Sequence, residues 1–357
     1  MVKRVYSLMA VAIVAVVLSH AASFGENAML WGIGSVQPLE VPNLQWIGSL
    51  PYYVLLTVRQ LTTWAVPALL FVSGYFVTYA IPTSSAASPW KVVRARLTRL
   101  IVPYLLWSLV WFVVDAVQGS VYAPLEYVKR LALGRADGGG YYYVVLLCQL
   151  YLLSPKLLPM ARARPRQLLW ATGLLQLAAL LTRYLGTAGY QLPYPGLTEK
   201  ATVNYLPFMW IFYYAIGLVS AADTGRFRKW LAQHKVSLSI ATVALGLLAV
   251  VEPEIIHRMT GVELRYLPRS LSAGLYSVGF ILSYLIADHV GLGLRTAQRL
   301  AGNSYAVYLL HFRAMGGLAE AAGRRLPWLL EHPVIALLPV LAIWGLGAPL
   351  LMASVVE

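Results

Sequence analysis

Charge is what this chain has least of. Acidic side chains number 14 in 357 residues, and all charged residues together make up 12%, about half the share of an ordinary soluble domain. A water-soluble core of this size would be left without a polar shell. That argues against a soluble enzyme, a disordered chain and a nucleic-acid-binding domain. Cysteine is nearly absent as well. Cys148 stands alone, which excludes a disulfide framework and a cysteine-based metal site, so no metal is expected. The sequence also lacks a repeat of fixed period, coiled-coil heptads and a phosphate-binding glycine loop.

Apolar residues are abundant instead. They make up 59% of the chain, and the mean hydropathy is +0.66. The solvent this composition suits is a lipid bilayer. Uncharged or nearly uncharged runs recur at Val5–Gly25, Gln60–Trp90, Leu100–Ala123, Gly138–Pro155, Gln167–Thr182, Ala201–Ala222, Val236–Val251, Ser270–Ala287, Leu300–Ala319 and His332–Val356. About 20 apolar residues cross the hydrocarbon slab as a helix. The shorter runs are extended by flanking Lys and Arg that reach the interface. Only helices or closed barrels can cross a bilayer, and these runs are apolar on every face rather than alternating, so helices are expected. The predicted fold is an all-α polytopic membrane protein of about ten transmembrane helices, one domain over residues 1–357.

The basic residues orient it. With Lys3 and Arg4 placed in the cytoplasm, the loops on that side also carry Lys91, Arg94, Arg96 and Arg99; Lys156, Arg162, Arg164 and Arg166; Arg226, Arg228, Lys229 and Lys235; and Arg295 and Arg299. The opposite loops carry fewer: Lys129, Arg130, Arg135, Arg183, Lys200, Arg258, Arg265, Arg269, Arg324 and Arg325. The excess of basic residues on one side predicts that both termini are cytoplasmic. It also accounts for most of the net charge of +14 without a nucleic-acid partner. Residues 1–23 have a second reading as a signal peptide, with Ser19-His20-Ala21 as a cleavage site. The apolar stretch is long for that role. The segment Glu26–Ile47 reads as the longest outer loop, lying on the membrane or over a cavity.

Ionisable residues at membrane depth usually face a cavity or a partner. This chain places His20, Arg59, Asp115, His311 and Arg313 there. His20 and Asp115 each follow the nearest inner arginine by 16 residues, roughly 24 Å along a helix. Arg59 opens the second run and so sits near the outer face. These positions suggest one polar site in the outer half of the membrane. Two histidines with an arginine suit acyl transfer. A neutral imidazole takes a proton from a hydroxyl or accepts an acyl group, and a guanidinium stabilises an oxyanion. The same residues also suit a proton relay in a transporter or flippase for a glycan or lipid, and the chemistry alone leaves both open.

Four segments and the first run carry a resemblance. AVPALLFVSGY at Ala65–Tyr75, RARLTRLIVPYLLW at Arg94–Trp107, LYLLSPKL at Leu150–Leu157 and GNSYAVYLLH at Gly302–His311 resemble, in order and spacing, motifs of the acyltransferase 3 family of integral membrane acyltransferases. The apolar first run ending in His20 is similar to that family's first helix, which ends in a catalytic histidine. Two departures stand out. Met9 occupies a position where the family usually has arginine, and Tyr141-Tyr142-Tyr143 stands where it often has His-x-Trp-Phe.

The resemblance implies a multi-pass enzyme of the cell membrane. It would move an acyl group, most often acetyl, from cytoplasmic acyl-CoA to a hydroxyl of an envelope glycan or a small-molecule acceptor. It implies catalytic roles for His20, Arg59 and His311. Arg94, Arg96 and Arg99 would hold the coenzyme phosphates, and Ser73 and Tyr75 would line the acceptor cavity; Asp115, for its membrane depth, and the aromatic Tyr142 and Tyr143 are further acceptor-site candidates. For Ser73-Gly74, close helix packing by small residues competes with that reading. For the three arginines, the orienting charge bias competes.

Overall fold

A computed structural model describes residues 1–33, 43–81, 88–187, 203–261, 270–287 and 293–356. Among the described residues every regular element is helical. A helix lies on each of the ten runs, and among the described residues seven helical segments are long and apolar enough to cross a membrane: Val2–Trp31, Leu50–Ala80, Pro89–Val117, Tyr142–Ala163, Pro165–Gly186, Lys235–Thr260 and Pro333–Ser354. Ile211–Ala222 and Leu271–Ile286 are apolar but shorter. The molecule is thus an all-helical, multi-pass membrane protein. Of the charges counted above, Lys200, Arg265 and Arg269 lie outside the described residues, as does part of the Glu26–Ile47 segment.

The helix ends follow local chemistry. Ser49 caps the Leu50–Leu61 helix by accepting from the Tyr52 amide at 3.4 Å, and Ser270 caps Leu271–Ile286 through the Ala273 amide at 3.2 Å. Both satisfy amides that lack an intrahelical partner. Lys235–Thr260 stops at Gly261, whose φ of 69° is left-handed and suits glycine.

Two segments differ from the sequence reading. The first helix does not end with its uncharged run. It continues unbroken through His20 to Trp31, so the expected outer loop begins later and Glu26 is helical. The second candidate span starts at Leu50 rather than Gln60. Arg59 therefore sits nine residues inside a helix instead of at its mouth. Directly after it the helix breaks at residues 62–64 before resuming as Ala65–Ala80. Pro67 lacks the amide that would continue the backbone ladder. Side-chain hydroxyls add donors to the carbonyls around the break. The Thr62 hydroxyl donates to Val58 O at 2.7 Å, the Thr63 hydroxyl to Gln60 O at 2.7 Å, and the Tyr276 hydroxyl to Leu61 O at 3.2 Å. Irregular backbone at membrane depth persists where such partners exist.

The chain forms two compact units, Met1–Leu69 with His234–Glu357, and Leu70–Gln233. In the first, Val2–Trp31 is the central helix, packed by Leu50–Leu61, Leu294–Gly302, Ser304–Arg325 and Leu338–Val356. Val5, Leu8, Ala12, Ile13 and Val17 are fully buried. Its alanines permit close approach, since lipid supplies no hydrophobic drive between helices and shape must do so. In the second unit, Tyr142–Ala163 packs against Pro89–Val117 and Ile211–Ala222. Ala65–Ala80 also meets Ile211–Ala222 there, backbone to backbone. A Cβ on Gly74 would lie 2.3 Å from the Tyr214 carbonyl oxygen, and one on Gly217 would lie 2.1 Å from the Phe71 carbonyl oxygen.

Candidate active site

The first unit brings His20 and His311 together. His20 stands midway along the central helix, half-buried. His311 stands on Ser304–Arg325 and is 1% exposed. Their ring centroids are 5.2 Å apart at 53°. Phe312 meets the edge of His20 at 5.3 Å and packs on Phe24, so an apolar wall flanks the pair.

The chemistry of His311 is fixed by its own helix. Its Nδ1 lies 2.9 Å from the Val307 carbonyl oxygen and 2.8 Å from that of Tyr308. Carbonyl oxygens only accept, so Nδ1 carries the proton. In the neutral ring Nε2 then keeps its lone pair. That nitrogen is buried and has no partner among the described residues. A locked tautomer with one bare acceptor is a usable proton acceptor or orienting group.

Arg59 pairs with Glu26 in a direct ion pair, the side chains 13% and 5% exposed. Both charges are thus largely shielded from solvent, where an unpaired charge is costly. Glu26 comes from the same helix as His20, and Arg59 and His311 are both electrostatic neighbours of His20. Gln60 is 2% exposed beside Arg59, with its side-chain oxygen buried and unpartnered among the described residues. The sequence reading did not single out Glu26. It lies past the uncharged run and counted as a loop residue. The helical register of Ala21–Trp31, free of proline, was the available signal. Among the described residues no group of three His, Cys, Asp or Glu side chains is arranged to hold a metal ion.

The other sequence candidates belong to the second unit. Ser73 and Tyr143 meet, hydroxyl to hydroxyl, at 3.5 Å. Tyr75 is fully buried between Phe71 and Tyr79. Its neighbour Gly74 does what the competing reading of Ser73-Gly74 required and allows close helix packing. Asp115 is 6% exposed and accepts from the Tyr122 hydroxyl at 3.2 Å. Tyr142 stacks on Trp210 at 6.2 Å. Asp137 accepts from the Tyr141 amide at 3.1 Å and so sets the turn into this helix. The three arginines differ among themselves. Arg94 and Arg99 are exposed. Arg96 donates to the Phe76 carbonyl at 2.8 Å and to the Tyr151 hydroxyl at 3.4 Å, and lies over the Tyr151 ring. It ties Pro89–Val117 to two neighbouring helices.

A family model described as an acyltransferase domain, that of the acyltransferase 3 family, matches residues 8–353. The chain belongs to this family of membrane acyltransferases. No curated protein and no solved structure matches it.

Proposed function

From that membership and the paired histidines, we propose a cell-membrane O-acyltransferase that moves an acyl group, acetyl above all, from acyl-CoA to a hydroxyl of an envelope glycan or other envelope-associated acceptor. The reading includes ten spans with both termini in the cytoplasm. The observation that carries it is the His20–His311 pair, with the buried Arg59–Glu26 ion pair beside it in the same unit.

A ring nitrogen of neutral His20 removes the proton from the acceptor hydroxyl. The oxygen attacks the thioester carbonyl and forms a tetrahedral oxyanion, which the Arg59 guanidinium stabilises. Collapse expels the coenzyme thiolate, which takes up the proton held by His20. Glu26 holds the Arg59 guanidinium in place. In the reacting complex the bare Nε2 of His311 takes a hydrogen bond from the other nitrogen of His20, a bond the resting structure lacks, and so fixes the tautomer of the base. The rings are near enough for this, with centroids 5.2 Å apart. Arg94 and Arg99, with Arg96 as an anchored neighbour, contribute charge-assisted bonds to the coenzyme phosphates.

Purified protein incubated with acetyl-CoA and an envelope-glycan extract should release free thiol and add acetyl groups to the glycan, read by mass spectrometry. Transport of the glycan across vesicle membranes with no thiol released would replace this reading with that of a transporter.

A further inference from the structure

The two helices that carry the histidines each bring a phenylalanine to the same place. Phe24 stands one turn beyond His20 on Val2–Trp31, on the same face. Phe312 directly follows His311 on Ser304–Arg325. The four rings form one cluster. His20 lies 5.2 Å from His311 and 5.3 Å from Phe312, and Phe312 lies 5.3 Å from Phe24. His20, Phe24 and Phe312 are all half-buried, whereas Ala21, Ala22 and Gly25 beside them are buried. Three contiguous side chains therefore keep accessible surface, and a group that reaches His20 also meets the phenyl rings.

The surroundings of His20 are chemically divided. The bare Nε2 of His311 and the Arg59–Glu26 ion pair make up its polar side. An aliphatic tail pressed against those groups would desolvate them without giving them a partner, which is costly. Phe312 and Phe24 supply apolar surface instead, where burying methylene groups is favourable. Toward Leu338–Val356 the packing is closed. A Cβ on Gly345 would lie 2.8 Å from the Met315 sulfur and 2.9 Å from Val17 Cγ1. Behind Phe24 stands Gly316, where a Cβ would meet the ring at 3.6 Å. Rings backed by packing of this kind yield little to an incoming chain.

We propose that Phe312 and Phe24 form the end wall of the acyl site and hold the enzyme to short acyl groups, so that these two side chains set the donor's chain length. The proposal rests on the acyl-CoA reading above. Reacting atoms must approach within about 3–3.5 Å, which puts the thioester carbonyl beside the His20 ring and the acyl tail among that ring's neighbours. A methyl group stops short of the wall. Each further methylene is driven first into Phe312, which touches His20, and then into Phe24, which packs on Phe312. An apolar pocket discriminates a single methylene by about 10–200-fold, so two aromatic rings suffice to exclude a six-carbon chain.

The test uses the full-length protein in nanodiscs and the variants Phe312→Ala, Phe24→Ala and Phe312→Leu, each checked by melting temperature. Thiol release with an envelope-glycan extract gives kcat/KM for acetyl-, propionyl-, butyryl- and hexanoyl-CoA. Wild-type rates should fall as the chain lengthens. Phe312→Ala should raise the hexanoyl-to-acetyl ratio by about tenfold or more. Phe24→Ala should raise it less, and Phe312→Leu, which keeps most of the bulk, should retain the acetyl preference. A merely structural role would lower all four rates together and leave the ratio unchanged. If Phe312→Ala fails to fold or to turn over, Phe24→Ala decides, since it leaves the contact with His20 in place. An unchanged ratio in variants that turn over, or a wild-type protein that uses hexanoyl-CoA as well as acetyl-CoA, overturns the proposal while the acyl-CoA reading stands. No thiol released by wild-type protein from any of the four donors overturns that reading, and the acyl wall with it.

Discussion

The buried Arg59–Glu26 pair makes a distinctive demand at the scale of single residues. Removing one partner leaves the other as an uncompensated charge among apolar helices. Glu26→Gln should therefore destabilise the protein by about 3–5 kcal/mol, seen as a lowered melting temperature in detergent. The double variant Glu26→Gln/Arg59→Gln should recover much of that loss, because no lone charge remains. Additive losses would mean that the two side chains act independently. Activity should not return in the double variant, since the proposed oxyanion donor is gone. Residue-level reading of the sequence reached His20, Arg59 and His311 from charge at membrane depth. It could not show that His20 and His311 meet. They are 291 positions apart, and neither carries a local pattern naming its partner. Glu26 escaped for a different reason. Acidic residues beyond an apolar run look like loop, and only the helical continuation to Trp31 places it opposite Arg59.

Among the elements, the runs were legible because lipid imposes one rule on every span and charge punctuates the sequence. The break in Leu50–Ala80 was not. Arg59 interrupts the apolar run, so the sequence reading starts the span at Gln60, whereas the pairing of Arg59 with Glu26 lets the helix pass through it. The close crossing of Ala65–Ala80 and Ile211–Ala222 rests on glycine alone. Gly217→Ala or Gly74→Ala forces a methyl group into a carbonyl oxygen of the neighbouring helix. Each should cost about 1–3 kcal/mol of stability through overpacking. Ser73→Ala, which removes a hydroxyl 3.5 Å from its partner, should cost less than about 1 kcal/mol. Melting curves of the three variants test the ordering. A larger loss from Ser73→Ala than from Gly74→Ala would contradict the packing account.

The whole molecule is a multi-pass helical membrane protein of the acyltransferase 3 family, and its proposed orientation follows from the basic residues of its loops. Reporter fusions after Pro165 and Phe227 should report the cytoplasm, and one after Ala136 the exterior. The reverse pattern would contradict the proposed orientation and put His20 at the wrong depth for its role. The proposed chemistry turns on one imidazole, that of His20. Acetyl transfer from labelled acetyl-CoA to envelope glycan should be compared for wild-type protein, His20→Ala and His311→Ala, all with matching size-exclusion profiles and donor affinities. Loss of a positioned general base costs about 10²–10⁴ in rate, so His20→Ala should fall by that factor, and His311→Ala, which removes only the group orienting it, by less. A folded His20→Ala protein that transfers acetyl at the wild-type rate would contradict the account.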